Sequence, residues 1–247
     1  MHSPLRAPIP VETLLLAYRS GIFPMADARD DQDVFWVEPR DRAIIPLGGL
    51  HISKSLRKVV KQDRYAVTVD RAFEEVIHAC AAPRPDHPES WISDRIVASY
   101  LGLHRAGHAH SLECWDGETL VGGLYGVAFN QVFCGESMFS RADNASKVAL
   151  VWLVALLREA GYRLLDCQFM TDHLATMGAV EMPQKDYLTL LERSRGRVHC
   201  GLREAYRNFA GQVSDASSSD ASDSSSSTSG NASSPGKRIL QSFTHTS

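Results

Sequence analysis

The segment 145–160, ASKVALVWLVALLREA, is apolar around nearly its whole circumference when it is drawn as a helix. Such a helix must be buried, because every side of it carries apolar side chains. Asn144 is placed to cap the start of this helix, and Gly161 is placed to end it. The chain is therefore expected to build a layered domain around residues 145–160.

Strand signals lie on both sides of the buried helix. The segments HAHSLECW and ETLVGGLYGVAF are joined by Asp116-Gly117, the strongest short-range signal for a β-hairpin. A third strand, QVFCGESMF, comes next, and residues 164–169 form a strand after the helix. Three glycines in the second strand indicate a bulge or a close backbone approach: Gly122, Gly123 and Gly126. These elements predict a mixed α/β fold.

Periodicity and composition predict the rest of the chain. Helices are expected at 11–20, 51–62, 72–82, 92–106 and 172–177, and strands at 35–40 and 65–69. From Ser214 the chain is rich in serine and cannot offset its chain entropy by burying apolar surface. We therefore expect residues 214–247 to be a disordered tail. Its last residues, KRILQSFTHTS, are either a frayed end or a short binding peptide.

Composition also limits the class of protein. The chain has 247 residues, of which 44% are hydrophobic, so it is not wholly disordered. Its net charge of −3 excludes a basic nucleic-acid coat protein. No apolar run approaches the ~18 residues of a membrane span, and MHSPLRAPIP lacks a secretory pattern. The odd number of cysteines indicates reduced thiols: Cys80, Cys114, Cys134, Cys167 and Cys200. We predict a cytoplasmic protein with no membrane partner and, without an exposed heptad, a monomer.

A positively charged face is expected on the helix at 51–62. Its cationic side chains recur at i, i+3, i+4 and i+7: Lys54, Arg57, Lys58 and Lys61. Clustered lysine and arginine side chains attract the phosphates of nucleic acid. The same pattern also occurs on helices that only face solvent, so both interpretations stay open here.

The strand LLDCQF carries an acid and an amide. Alternation places Asp166 and Gln168 on one face and Cys167 on the other. The pair suits the orientation of an amine substrate, or alternatively a structural hydrogen-bond node in the core. Cys167 has no histidine on its own face and is better explained as a small core residue than as a nucleophile.

The strand before the buried helix places Glu136 and Met138 on one face. A carboxylate then lies beside an apolar surface. The apolar residues that either complete a cup around it or belong to the core are Leu124, Phe133, Met138, Leu153 and Leu165.

Metal and nucleotide cofactors lack their usual sequence signals. His104, His108 and His110 are interrupted by Gly107, and no cysteine or carboxylate cluster has the spacing of metal ligands. The chain also has no GxxxxGK[ST] loop and no GxGxxG after a strand. We therefore expect no metal and no cofactor.

An ordered set of segments resembles one family. The segments are YRSGIFPM, HISKSLRK, WISDRIVASY, HRAGHAHSLECW, LVGGLYGV, FCGESMFSRADNASKVAL, LLDCQFMTDHLATMGAVEMP and DYL. From about Leu14 to Leu191 they resemble the leucyl/phenylalanyl-tRNA–protein transferases. The resemblance implies a reduced amino-terminal domain at 1–45 and, at 46–213, a domain like the acyl-CoA N-acyltransferases. It also implies that leucine or phenylalanine moves from tRNA to the α-amine of proteins that begin with arginine or lysine, which marks them for proteolysis.

The resemblance also implies roles for the candidate residues. Asp166 and Gln168 are the catalytic pair, in which we expect Gln168 to accept a hydrogen bond from the attacking amine and Asp166 to orient Gln168. Glu136 would hold the cationic acceptor. The apolar cup would take the leucyl or phenylalanyl side chain, and Trp91 would lie near the terminal adenosine unless it only anchors a helix. The basic face would contact the acceptor stem.

The chain departs from the family pattern in three places. The usual upstream segment Leu-Leu-Ala-x-Gly-Gly-Asp-Leu is missing, Met25 replaces an aromatic residue, and the serine-rich tail has no counterpart, so we expect it to be dispensable for catalysis. Three alternatives stay open. One is an acyl-CoA N-acyltransferase, although SRADNASK lacks the glycines of a pyrophosphate turn. The others are a tRNA-binding protein without catalysis and a cell-wall aminoacyl-tRNA transferase, for whose precursor the sequence shows no site.

Overall fold

Two short strands after the first helix form a separate antiparallel ribbon in the computed structural model, which describes residues 6–83, 90–211 and 233–244. The helix is α1 (Val11–Arg19), and the strands are β1 (Phe23–Met25) and β2 (Phe35–Val37). Gly21 separates α1 from β1 and adopts a φ of +78°, which glycine tolerates without strain.

Seven further strands form one mixed sheet. They are β3 (Asp41–Ile45), β4 (Ala66–Val69), β5 (Ala109–Asp116), β6 (Thr119–Phe129), β7 (Val132–Ser140), β8 (Leu164–Gln168) and β9 (Val180–Pro183). Their order is β4-β5-β6-β7-β8-β3-β9, and among the described pairs only β7 and β8 run parallel. The predicted mixed α/β fold is confirmed, as is the hairpin of β5 and β6 at Asp116-Gly117.

Helices cover both faces of the large sheet. On one face α1, α3 (Phe73–Ala81), α4 (Asp94–Arg105) and α7 (Gln184–Arg193) enclose a first core, which includes Tyr18, Ile96 and Tyr100. On the other face a second core includes Leu56, Leu153 and Ile239. The helices of that face are α2 (Lys54–Lys61), α5 (Ala145–Ala160), α6 (Asp172–Thr176), α8 (Leu202–Ala210) and α9 (Pro235–Ser242). Among the described helices, none has the length and apolar character needed to cross a membrane.

Helix α5 is buried, as its composition predicts. Its first turn packs directly on β6, where a Cβ added to Gly122 would lie 2.5 Å from the Cβ of Ala145. Gly161 ends the helix with a φ of +82°. Asn144 starts it differently from the prediction, because its side chain makes no capping hydrogen bond. Instead the residue adopts a left-handed φ of +63°, which asparagine tolerates better than most residues.

Two segments differ from the expected domain organisation. Residues 235–242, expected in the disordered tail, form α9 because Ile239 and Leu240 find apolar partners in the second core. The serine-rich stretch 212–232 lies outside the described residues. β3 precedes the expected boundary at residue 45, yet it pairs with both β8 and β9 in the large sheet.

Candidate active site

The parallel strands β7 and β8 separate soon after they begin. Their backbone pairing runs from Val132–Leu164 to Cys134–Asp166 and stops there, although both strands continue. A cavity of about 740 Å³ lies at this split, lined by residues from β6, β7, β8 and α5 and from the segment after β8. The split therefore opens a space large enough for a small ligand beside the centre of the sheet.

A bulge separates Glu136 from Met138, which were expected on one face. Between Gly135 and Ser137, Glu136 is an extra residue of β7 that has no partner on β6. The inserted residue shifts the alternation of side chains. Met138 therefore packs against the second core, whereas the Glu136 carboxylate lies beside Tyr100 of the first core. Both Glu136 and Met138 nevertheless line the cavity.

The Glu136 carboxylate holds the side-chain amide of Gln168. Gln168 Nε2 donates a hydrogen bond to Glu136 Oε1 at 2.9 Å, and the Tyr100 hydroxyl donates to Oε2 at 3.0 Å. The hydroxyls of Tyr18 and Tyr100 are hydrogen-bonded to each other. Because the amide nitrogen faces Glu136, the amide oxygen is the remaining polar atom of Gln168, and no hydrogen bond among the described residues uses it.

Asp166 belongs to a second network, centred on a buried arginine. Arg42 Nε and Nη2 donate to the two carboxylate oxygens of Asp166 at 2.9 and 2.5 Å, and both side chains have 0% exposure. The Tyr187 hydroxyl also donates to Asp166, at 3.0 Å. The Asp166 charge raises the pKa of Arg42 despite the opposing effect of burial. Asp166 is therefore an ion-pair partner inside the core and does not line the cavity.

Asp166 reaches Gln168 through the main chain. Asp166 Oδ1 accepts a hydrogen bond from the backbone N–H of Gln168 at 2.8 Å. Gln168 adopts a φ of +64°, a left-handed conformation that costs a residue with a side chain on the order of 1 kcal/mol. Two hydrogen bonds, one to its backbone and one to its amide, hold Gln168 in this conformation. Asp166 therefore contacts the backbone of Gln168, while Glu136 holds the amide.

The surroundings change the acidity of two cavity residues. Burial raises the pKa of Glu136 to about 7, although hydrogen bonds from Tyr18, Gln168 and Tyr100 act in the opposite direction. Burial, followed by the charge of Asp166, also raises the pKa of the Cys167 thiol. A thiol with a raised pKa is a poor nucleophile at neutral pH, which agrees with the interpretation of Cys167 as a non-nucleophilic residue.

Part of the cavity wall is apolar. Four of the five residues predicted to form the cup line it: Leu124, Met138, Leu153 and Leu165. Phe133 does not line the cavity. Its ring packs in the second core against Gly126, which has no side chain to exclude it. We call the four lining residues the apolar cup. Leu150 lies next to them in the cavity wall.

Sequence comparisons identify the family. A family model described as leucyl/phenylalanyl-tRNA protein transferase matches residues 44–192, and the model of the N-terminal domain of that protein matches residues 8–40. The chain belongs to this family. The leucyl/phenylalanyl-tRNA–protein transferase of Novosphingobium aromaticivorans is 55% identical over 255 residues, which cover 97% of each chain. That of Rhizorhabdus wittichii is 57% identical over 187 residues, covering 76% of this chain and 75% of its own.

A solved structure described as L-PGS from Bacillus licheniformis overlaps 66% of this chain and 55% of its own, with 15% identity and a TM-score of 0.35. An overlap of this quality supports no conclusion about fold or function. Membership of the leucyl/phenylalanyl-tRNA–protein transferase family rests on the sequence matches, and it makes the chain an aminoacyltransferase.

The remaining predicted residues of this transferase occupy two places. Trp91 lines the cavity and packs against the first core. Met25, at the position usually aromatic in the family, packs against the first core and does not line this cavity.

The four basic residues lie outside the cavity, exposed on α2: Lys54, Arg57, Lys58 and Lys61. The Ser53 side chain caps that helix by accepting from Leu56 N at 3.2 Å.

The three clustered histidines make separate hydrogen bonds. Nδ1 of His104 lies 2.8 Å from the carbonyl oxygen of Ala109, and Nδ1 of His110 lies 2.8 Å from Asp70 Oδ2. Nδ1 of His108 lies 3.4 Å from the carbonyl oxygen of Ala128. Within the described ranges, no three histidine, cysteine, aspartate or glutamate side chains are grouped as metal ligands.

Four residues of the site were not predicted from the sequence: Arg42, Tyr18, Tyr100 and Tyr187. The signal for Arg42 was a charge directly before the apolar residues 43–45 of β3, where burial requires a counter-charge. The tyrosines lie on the apolar faces of their helices and resemble core residues until their hydroxyl partners are known.

Proposed function

We propose that this protein transfers a leucyl or phenylalanyl group from tRNA to the α-amine of proteins that begin with arginine or lysine. It acts in the cytoplasm as a monomer and marks its products for proteolysis. The observation that carries the proposal is a cavity lined by both Gln168 and the apolar cup. The amide nitrogen of Gln168 is bound to Glu136, which leaves its amide oxygen to accept a hydrogen bond.

The reaction needs no outside energy source, because an aminoacyl ester is already activated. The acceptor nitrogen forms a bond to the ester carbonyl carbon, and the bond between that carbon and the tRNA 3′ oxygen breaks. The proton lost by the amine ends on the leaving 3′ hydroxyl. The α-amine has an ordinary pKa of about 7.7–8.0, so a useful fraction is neutral at physiological pH. Holding the amine about 3–3.5 Å from the carbonyl carbon supplies much of the rate.

Gln168 is the residue that positions the amine. Its amide nitrogen is occupied by Glu136, so its oxygen accepts a hydrogen bond from the attacking amine and aims the nitrogen lone pair at the ester. A neutral amide is a poor base, and we therefore assign Gln168 to positioning rather than to proton abstraction. Both Glu136 oxygens have partners in Gln168 and Tyr100, so we assign Glu136 to holding the amide instead of the acceptor cation.

The apolar cup selects the amino acid. Leucyl and phenylalanyl side chains are unbranched at Cβ and can enter between Met138 and Leu153, whereas a β-methyl group would meet the entrance of the cup. One methyl group typically discriminates by about 1–3 kcal/mol, which gives a preference rather than an absolute exclusion.

Helix α2 supplies contacts to the acceptor stem. Its exposed cations bind backbone phosphates, which carry no sequence information, so tRNAs with different bodies are accepted. Trp91, in the cavity wall, lies against the terminal adenosine.

A transfer assay tests the proposed function. Purified protein is incubated with radiolabelled leucyl-tRNA and with two peptides that differ only in an amino-terminal Arg or Ala. We expect label to move to the Arg peptide alone. Binding of tRNA without transfer to either peptide would instead indicate a tRNA-binding protein that lacks catalysis. If tRNA does not bind, the next measurement is the turnover of acetyl-CoA. Activity with acetyl-CoA would contradict the proposal and indicate an acyl-CoA N-acyltransferase.

A further inference from the structure

The carboxy-terminal helix α9 is anchored in the second core. Ile239 and Leu240 have exposures of 0% and 6% and pack among residues of α2, α5 and α8. The guanidinium carbon of Arg158 on α5 lies 5.3 Å from the ring centroid of Phe243, just after α9. These contacts attach the end of the chain to the face of the sheet that carries α2.

The start of α9 meets the end of α2. The backbone N–H of Gly236 donates to Asp63 Oδ1 at 2.6 Å, and Asp63 follows α2 in the chain. A Cβ on Gly236 would overlap the carbonyl oxygen of Val60 in the last turn of α2, so only glycine permits this approach. The contact fixes which residues of α9 lie next to α2.

Two exposed lysines adjoin this contact. Lys61 follows Val60 in the chain, and Lys237 follows Gly236. Because Val60 and Gly236 touch, their neighbours Lys61 and Lys237 lie at the same junction. Neither α2, KSLRKVVK, nor α9, PGKRILQS, contains an acidic residue, and Asp63, which follows α2, is engaged by the backbone of Gly236. Exposed cations of both helices therefore adjoin the contact between α2 and α9.

We propose that α9 extends the RNA-binding surface of this protein and that Lys237 binds a backbone phosphate of the tRNA. The proposal rests on the proposed function, since it adds to the surface that α2 offers to the acceptor stem. RNA is the partner that fits, because two helices with several cations and no acid match a row of phosphates. The docked helix also holds Lys237 in place, which lowers the entropy cost of the contact.

The test measures the affinity for uncharged tRNA by fluorescence anisotropy over a series of salt concentrations. The variants are Lys237→Ala, Lys58→Ala on α2 and Lys185→Ala on α7, an exposed lysine on the opposite face of the sheet. Each lost phosphate contact should lower the slope of log affinity against log salt by about 0.7–0.9. We expect this loss for Lys237→Ala and Lys58→Ala, and a wild-type slope for Lys185→Ala.

A second variant tests the role of docking. Gly236→Val should displace the start of α9 and weaken tRNA binding at least as much as Lys237→Ala, with the far-ultraviolet circular dichroism retained. Transfer to the Arg peptide should stay normal for Lys185→Ala, because Lys185 does not line the cavity and does not belong to α2 or α9. A wild-type slope for Lys237→Ala beside a reduced slope for Lys58→Ala would overturn the proposal and leave the proposed function standing. Wild-type slopes for both lysine variants would mean that neither α2 nor α9 belongs to the RNA-binding surface.

Discussion

The polar network beside the cavity and the apolar cup are built on different principles. In the polar network, Asp166 pairs with Arg42, and Glu136 binds Gln168 and Tyr100. The apolar cup takes its shape from packing between β6, β7, β8 and α5. Hydrogen bonds depend strongly on direction, whereas apolar contacts depend mainly on volume. Changes in the polar network should therefore affect folding or the chemical step, and changes in the cup should affect the choice of amino acid.

The largest effect should follow the loss of Arg42. Arg42→Met leaves the Asp166 carboxylate buried without a counter-charge, which typically costs about 3–5 kcal/mol of stability. Urea unfolding measures this loss. Arg64→Ala is the matched control, since Arg64 makes a similar two-bond pair with Asp116 at the exposed surface and should change stability little. Equal losses in the two variants would show that burial does not set the strength of the Asp166 pair.

Gln168→Glu should lower the transfer rate by about 100-fold, the usual effect of a misplaced reacting group. A carboxylate at position 168 would lie beside Glu136, so the two like charges would repel and the amine would lose its fixed acceptor. Single-turnover transfer with saturating leucyl-tRNA measures the rate, and unchanged tRNA affinity is the control. An increase in rate would mean that position 168 acts as a base, contrary to the positioning role.

The pH dependence should reveal Glu136. Its raised pKa of about 7 means that the side chain is neutral below that pH and charged above it, and the charged form holds the Gln168 amide more strongly. The transfer rate should therefore rise through pH 7, and rise again as the acceptor amine loses its proton near ~7.7–8.0. Glu136→Gln should retain only the second rise. Two rises in that variant would assign the first to another group.

The smallest effect should come from the apolar cup. Met138→Ala enlarges the cup, so transfer from leucyl-tRNA should lose about 1–3 kcal/mol of transition-state stabilisation. Transfer from phenylalanyl-tRNA, with its larger side chain, should lose less. Competition between the two charged tRNAs measures the ratio. Phe133→Leu is the control, because Phe133 lies in the second core and should affect stability without changing that ratio. Equal losses for both tRNAs would mean that Met138 is only a core residue.

The elements around the site differed in how well the sequence predicted them. Helix α5 and the β5–β6 hairpin carry their signals locally, in continuous apolar character and in Asp116-Gly117. The short strands β1, β3 and β9 were missed because each contains few residues. In addition, β3 and β9 pair with segments far away in the chain. Helix α9 was missed for a related reason: its apolar residues are few, and only the second core makes their burial favourable.

The sequence by itself determined the family, the mixed α/β class and most of the residues of the site, since all of these follow from ordered motifs and periodicity. Only the tertiary structure decided how those residues work together. The bulge at Glu136 separated it from Met138, and the pairing of β3 with β8 brought Arg42 to Asp166. Both outcomes depend on contacts between segments far apart in the chain, such as Arg42 and Asp166, whose partners no local pattern specifies.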